Sequence, residues 1–218
     1  MNNKSNSKVI TASKEKRLFI ATFVNILLTV AQIIGGLISG SLSLISDALH
    51  NFSDAASLLL ALLAVKIGQK KPDLSKTFGY QRAETVAALI NFTTLIIIGL
   101  FLMYEAVIRL IYPNPISGWM VVIIAIIALI VDIITAMLTY KESKKSMNIK
   151  AAFLHNLTDA LASVGVVVAG TLILLYNWLW VDAVVTFLIS AYVLWQGLRE
   201  IPKAIHMLME GAPYDVDI

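Results

Sequence analysis

An all-α polytopic membrane protein, a bundle of six transmembrane helices, is the fold class this sequence predicts, on three observations. Hydrophobic residues fill 58% of the 218 positions and charged residues only 14%, a balance that a water-facing surface could not carry at this length. Apolar runs of about 20 residues, the length that crosses a ~30 Å hydrocarbon core, can be placed six times. The hexapeptide His50-Asn51-Phe52-Ser53-Asp54-Ala55 returns as His155-Asn156-Leu157-Thr158-Asp159-Ala160, and both copies sit inside apolar runs.

The first expected span, 18–39, follows Lys14, Lys16 and Arg17 and ends at Ser39-Gly40-Ser41, which together mimic a signal peptide. It is too long for a signal-peptide apolar core, and a second span follows at once, so it is read as a retained helix after a tail over 1–17. Its Asn25 and Gln32 are read as structural. The second span, 42–67, carries the first hexapeptide, with Asp47 one turn ahead of His50, either guiding cations or capping the helix. The third, 85–111, places Glu105 and Arg109 four residues apart as a local ion pair. Pro113 and Pro115 then shape a short connection to the fourth span, 119–140. Within it Asp132 has no opposite charge within a turn of its own helix, so it is expected to face the bundle interior or water, with proton movement as one role. The fifth span, 151–176, carries the second hexapeptide. The sixth, 179–201, begins near Asp182, read as a cap or polar packing contact. The tail 202–218 contains Pro202, Gly211 and Pro213, and His206 in it is expected to be solvated or at the lipid surface.

Sixteen of the seventeen Lys and Arg side chains fall in the amino-terminal tail, in the connections between spans two and three and between four and five, and near the carboxy-terminal end. By the positive-inside rule these mark the cytoplasmic face and place both termini there, consistent with an even number of spans. Tyr112, Trp119, Tyr176, Trp178 and Trp180 collect at the opposite face as an interfacial aromatic belt. The basic connections suit a solvated face near anionic lipid rather than a nucleic acid.

The repeated hexapeptide carries the chemistry. A His and an Asp four residues apart lie on one helix face, roughly 6 Å from each other, so each copy can turn an imidazole and a carboxylate toward one point. Ionisable groups inside a membrane cost on the order of 2.5–3.5 kcal/mol each on insertion scales, so four of them in matched pairs imply function. Two neutral imidazoles and two carboxylates make a four-ligand site whose charge neutralises a divalent cation. That favours Zn²⁺, with Co²⁺ as a mimic, whereas Mg²⁺ or Ca²⁺ would want six or more oxygens. Hydrogen bonding between two helices is the structural alternative. Asn51 and Asn156 then serve either as supports for the ligands or as interhelical contacts. The sequence has no cysteine, so disulfides and thiolate ligands are excluded. Neither the H-E-x-x-H signature of a hydrolytic zinc site nor a phosphate-binding G-x-x-x-x-G-K-[ST] loop occurs, so the expectation is binding and release driven by an ion gradient, and no enzyme.

At these residues the chain resembles the cation diffusion facilitators, in particular their zinc-transporting branch. The resemblance rests on the segment from Ser41 to Asp54, on Phe78-Gly79-Tyr80-Gln81-Arg82-Ala83-Glu84, and on His155-Asn156-Leu157-Thr158-Asp159. It implies a homodimeric, proton-coupled antiporter that carries Zn²⁺ out of the cytoplasm by alternating access. It puts the metal ligands on His50, Asp54, His155 and Asp159, and makes the plasma membrane the expected location. The histidine at the first position implies a preference for Zn²⁺ over Cd²⁺. Members of that family usually continue into a cytoplasmic metal-binding α/β domain, which would begin near Ile218. They often carry an auxiliary site with a histidine near the residue matching Asp73, which is followed here by Leu74-Ser75-Lys76, so no auxiliary site is expected. The competing reading is a membrane zinc-binding sensor or assembly protein that does not transport.

A depth mismatch accompanies these spans. Counted at ~1.5 Å per residue from the outer ends, the first pair lies about 15 Å deep and the second about 28 Å, yet the two must meet to share a metal.

Overall fold

The computed structural model describes residues 24–143 and 147–212. Within them the chain forms α1 (Val24–Ser39), α2 (Leu42–Gly68), α3 (Ala83–Ile111), α4 (Gly118–Ser143), α5 (Met147–Tyr176) and α6 (Trp180–Leu208). The last five contain stretches long and apolar enough to cross a membrane. Residues 18–23 of the first expected span lie outside the described residues, as do the tail 1–17 and residues 213–218.

The first two connections have local causes. Gly40 adopts φ 75°, a left-handed conformation that reverses the chain within two residues, and a Cβ there would stand 2.7 Å from the Pro115 carbonyl oxygen. Ser41 then caps α2, its hydroxyl accepting from Leu44 N. Between α2 and α3 the loop winds around one carboxylate. Asp73 Oδ1 accepts from Ser75 N at 2.8 Å, Ser75 Oγ at 2.7 Å and Lys76 N at 2.8 Å, while Tyr80 Oη donates to Oδ2 at 2.6 Å. Those donors, Tyr80 first among them, hold the Asp73 carboxyl well below the usual carboxylate range, and the same bond pushes the Tyr80 phenol up.

Two helix pairs pack most closely, α4 on α5 and α3 on α6, with α2 touching α3, α5 and α6. Glycines permit both approaches. A Cβ on Gly118 would meet Leu174 N at 2.8 Å, and one on Gly197 would meet Ile96 Cγ1 at 2.8 Å. The core draws on five helices, through Leu44, Leu95, Val121, Val166, Ile189 and Val193. Large apolar side chains such as Ile97, Phe101, Ile127, Leu161 and Leu188 face outward, as lipid contact requires.

Helix ends differ from expectation, most at α6. It runs through Pro202 to Leu208, seven residues past the expected end at 201. Proline removes one i→i−4 bond but does not forbid a further turn near a helix end, and Ala204 beyond it is still buried. His206 therefore stands in the last turn of a helix rather than in a tail, half-buried, with Nε2 2.8 Å from the Ala212 carbonyl oxygen. Arg82, at the start of α3, forms an ion pair with Glu210 just past α6.

Candidate metal centre

His50 and Asp54 lie one turn apart on α2, and Asp159 faces them from α5. His50 Nε2 stands 3.7 Å from Asp54 Oδ2 and 3.5 Å from Asp159 Oδ1, and one ligand atom from each residue falls within 4.8 Å of the other two. Ligand atoms about 2.0–2.1 Å from a tetrahedral metal are roughly 3.3 Å apart, so the two spacings from His50 need to close by only a few tenths of an ångström. The donor set of one imidazole nitrogen and two carboxylates suits a divalent cation of intermediate softness. Tyr192 of α6 packs edge-on against the His50 ring, with centroids 6.2 Å apart, and limits its rotation.

Burial is graded across the cluster. The His50 and Asp159 side chains are 4% and 8% exposed, Asp54 27%. Asp54 is the member that looks onto open space, a cavity of about 410 Å³ between α2, α3 and α6. Three of the four expected ligands are thus brought together; the side chain of His155, four residues before Asp159 on α5, lies outside the described residues.

The depth mismatch has a structural answer. Asp47 meets Ser163 and His50 meets Asp159, so α2 and α5 run antiparallel in a fixed register. Carried on to Leu42, that register reaches about residue 168 and leaves some eight residues of α5, or ~12 Å, beyond the start of α2. The amino terminus of α2 is recessed inside the bundle. Its backbone donors are met there by Asp182 of α6, whose carboxylate accepts from Ser41 Oγ and Ser43 Oγ at 2.6 Å each and from Leu42 N at 2.8 Å. Asp182 is therefore a cap, as expected, but of α2 rather than of its own helix.

Asp47 is not the cap of α2. It is buried behind the site, accepting from Gln32 Nε2 at 2.6 Å and from Ser163 Oγ at 3.4 Å. The Ser163 hydroxyl has one proton to share, and Asp132 Oδ2 stands closer to it at 2.8 Å, so Asp132 does face the interior, on the α4–α5 side. Asn51 donates to Gln32 Oε1 at 3.5 Å, which gives it and Gln32 a role in joining α1 to α2. Glu105 and Arg109 form the expected local pair at 3.3 Å, and Arg109 also donates to the Gly40 carbonyl. Ser163, the hub between two carboxylates, was missed in the sequence; its place four residues after Asp159 in an apolar helix was the available signal.

Comparison with known proteins agrees with this architecture. The family model described as the cation efflux transmembrane domain matches residues 18–209. A zinc transporter ZitB of Yersinia pestis is 41% identical over 207 residues, covering 94% of this chain and 66% of its own length. A cadmium, cobalt and zinc/H(+)-K(+) antiporter of Bacillus velezensis is 38% identical over 93% of this chain and 66% of its own length. A metal cation efflux system protein CzcD of Cupriavidus metallidurans is 34% identical over 94% of this chain and 65% of its own. The chain spans just under two thirds of the length of these relatives. With a family model covering most of its helices, the chain belongs to the cation efflux family.

Proposed function

We propose that this chain is a multi-pass membrane transporter that exports divalent cations, Zn²⁺ first among them, in exchange for protons. The observation that carries this reading is the approach of His50 on α2 to Asp159 on α5, which gathers three metal-binding groups inside a bundle of apolar helices. His155 supplies the fourth ligand in this reading, giving two nitrogens and two carboxylates. The names of the relatives, among them a zinc transporter and a cadmium, cobalt and zinc antiporter, support Zn²⁺ as cargo with Co²⁺ and Cd²⁺ as lesser substrates.

Coupling follows from the donor chemistry. Imidazole binds a metal only when neutral, so a proton and a cation compete for the same nitrogen, and release of one favours uptake of the other. The basic connections favour both termini in the cytoplasm, and the bacterial source of the relatives favours the plasma membrane. A homodimer is the expected working unit. Flux of Zn²⁺ into vesicles containing the purified chain, with an imposed pH gradient, tests the reading. Uptake that follows the gradient and stops when it is collapsed supports an antiporter; saturable zinc binding with no gradient-driven flux would favour a sensor instead.

A further inference from the structure

The cavity beside Asp54 runs along one face of α2 and one face of α3. Asp54, Ser57 and Ala61 line it from α2, Glu84 and Asn91 from α3, and Gln196 from α6. The residues on each helix recur at three- or four-residue steps, so they form continuous stripes. The lining ends at Glu84, in the first turn of α3, whose carboxylate lies close to Gly68 at the end of α2. That is the end of the bundle carrying the basic loop 69–82. One end of the cleft is therefore the exposed Glu84, and the other is the half-exposed Asp54 of the metal cluster.

The lining suits a partly hydrated cation. Ser57 spends its hydroxyl proton on the Ser53 carbonyl at 2.6 Å, so its lone pairs remain as acceptors. Gln196 Oε1 is buried and has no hydrogen-bond partner among the described residues. A side-chain amide oxygen is a neutral acceptor, the kind of group to which the waters around a cation can donate. No Lys or Arg lines the cleft among the described residues. Volume agrees, because six waters at about 30 Å³ each need on the order of 180 Å³, and the cavity offers about 410 Å³.

Resting on the reading of His50, Asp54 and Asp159 as metal ligands, we infer that this α2–α3 cleft is the route by which the cation reaches the site, with Glu84 as its capture carboxylate at the mouth. Asn91, Gln196 Oε1 and Ser57 then carry the hydrated ion to Asp54. Glu84 acts on arrival rather than on the bound state, so its loss should change the concentration dependence of transport more than its maximal rate. A carboxylate that merely complements the helix dipole at the start of α3 would change stability and leave that dependence alone.

The test uses the full chain in vesicles and compares Glu84→Gln, Glu84→Asp and Asp54→Ala. Electrostatic focusing raises arrival rates by 10-fold or more, so Glu84→Gln is expected to raise the KM for Zn²⁺ about 10-fold at low salt with maximal rate within about twofold. Glu84→Asp should recover most of the loss. The wild-type KM should climb with ionic strength while that of Glu84→Gln stays flatter. A KM within about twofold of wild type for Glu84→Gln, with Asp54→Ala inactive, overturns the capture role and leaves the metal site standing; full transport by Asp54→Ala overturns the underlying reading. Should Glu84→Gln fail to fold, Ala88→Cys decides, since the chain has no other cysteine. A cationic, membrane-impermeant thiol reagent added on the side of the basic loop should modify it, more slowly with Zn²⁺ present. No modification from that side overturns the route.

Discussion

Asp182 on α6 accepts a hydrogen bond from Ser41 Oγ at 2.6 Å, joining the start of one helix to the start of another 141 positions away in the chain. With the bonds from Ser43 Oγ and Leu42 N, it replaces the water that an exposed helix terminus would have used. Both carboxylate and terminus are fully or nearly fully buried, which makes this contact the one that allows α2 to begin inside the bundle.

Asp182→Ala should therefore destabilise the bundle. It leaves Leu42 N and two serine hydroxyls without their acceptor in a dry site, and a buried polar group left unsatisfied costs about 1–3 kcal/mol before relaxation. We expect a net loss on the order of 3 kcal/mol and a lowered Tm in detergent, with Asp182→Asn intermediate because an amide oxygen can still accept. An unchanged Tm for Asp182→Ala would mean that the recessed terminus finds other partners.

Asp54→Ala and Asp159→Ala should each abolish Zn²⁺ flux while leaving the helices inserted. Each removes one of the converging ligands and half of the carboxylate charge that a divalent ion needs. The expected loss is at least about 100-fold in initial uptake, since removal of even a supporting group at a metal site weakens affinity by about 10–100-fold. Helical circular dichroism should match wild type. Near-normal uptake in both variants would remove the cluster from the transport path.

The loop built on Asp73 should respond to acid in a defined direction. Its folded carboxyl is held below the ordinary value of 3.8 by the Tyr80 and Ser75 donors and the Lys76 amide, so the charged form favours the folded loop. That contribution is fully present above pH 3.8 and is lost as pH falls toward the lower folded value. Amide exchange of residues 73–80, corrected for its intrinsic pH dependence, should show constant protection from about pH 5 to 8 and faster opening below the ordinary carboxylate range. Asp73→Ala should show the fast exchange at every pH, and protection that survives in that variant would count against the carboxylate as the organising group.

The sequence made the candidate site legible because its signal is local. His50 and Asp54, and again His155 and Asp159, stand at helical spacing in runs where charge is costly, and that pattern needs no knowledge of the packing. The register between the two helices was not legible. The ~12 Å by which α5 overhangs α2 depends on Asp182 reaching across from a third helix, a contact no periodicity records. Asp47 was left between guiding cations and capping the helix for a related reason. Its place in the second turn of α2 suggests a cap when the helix is taken alone, whereas Gln32 on α1 and Ser163 on α5 make it an interior acceptor. The end of α6 was missed because Pro202 marks a helix boundary only as a tendency.

The last expectation concerns how protons and metal exchange. If both use the imidazole of His50, and that of His155 in the proposed ligand set, then Zn²⁺ binding must displace protons wherever those rings are partly charged, near the reference His pKa of about 6.5. Affinity should then fall as pH drops from about 7.5 to 5.5, by roughly tenfold per unit for each proton displaced. Calorimetry in buffers of different ionisation enthalpy reads the same protons directly, because the buffer absorbs what the site releases, and below pH 6.5 we expect about one or more per metal. Asp132 provides the contrast. It is joined to Asp47 through Ser163 but stands outside the ligand set, so Asp132→Asn should preserve the buffer dependence of binding even where it slows flux. A binding enthalpy indifferent to buffer, with affinity flat across that pH range, would rule out direct competition at the histidines. Loss of the buffer dependence in Asp132→Asn alone would instead move the exchanged proton to the Asp47–Ser163–Asp132 chain behind the site.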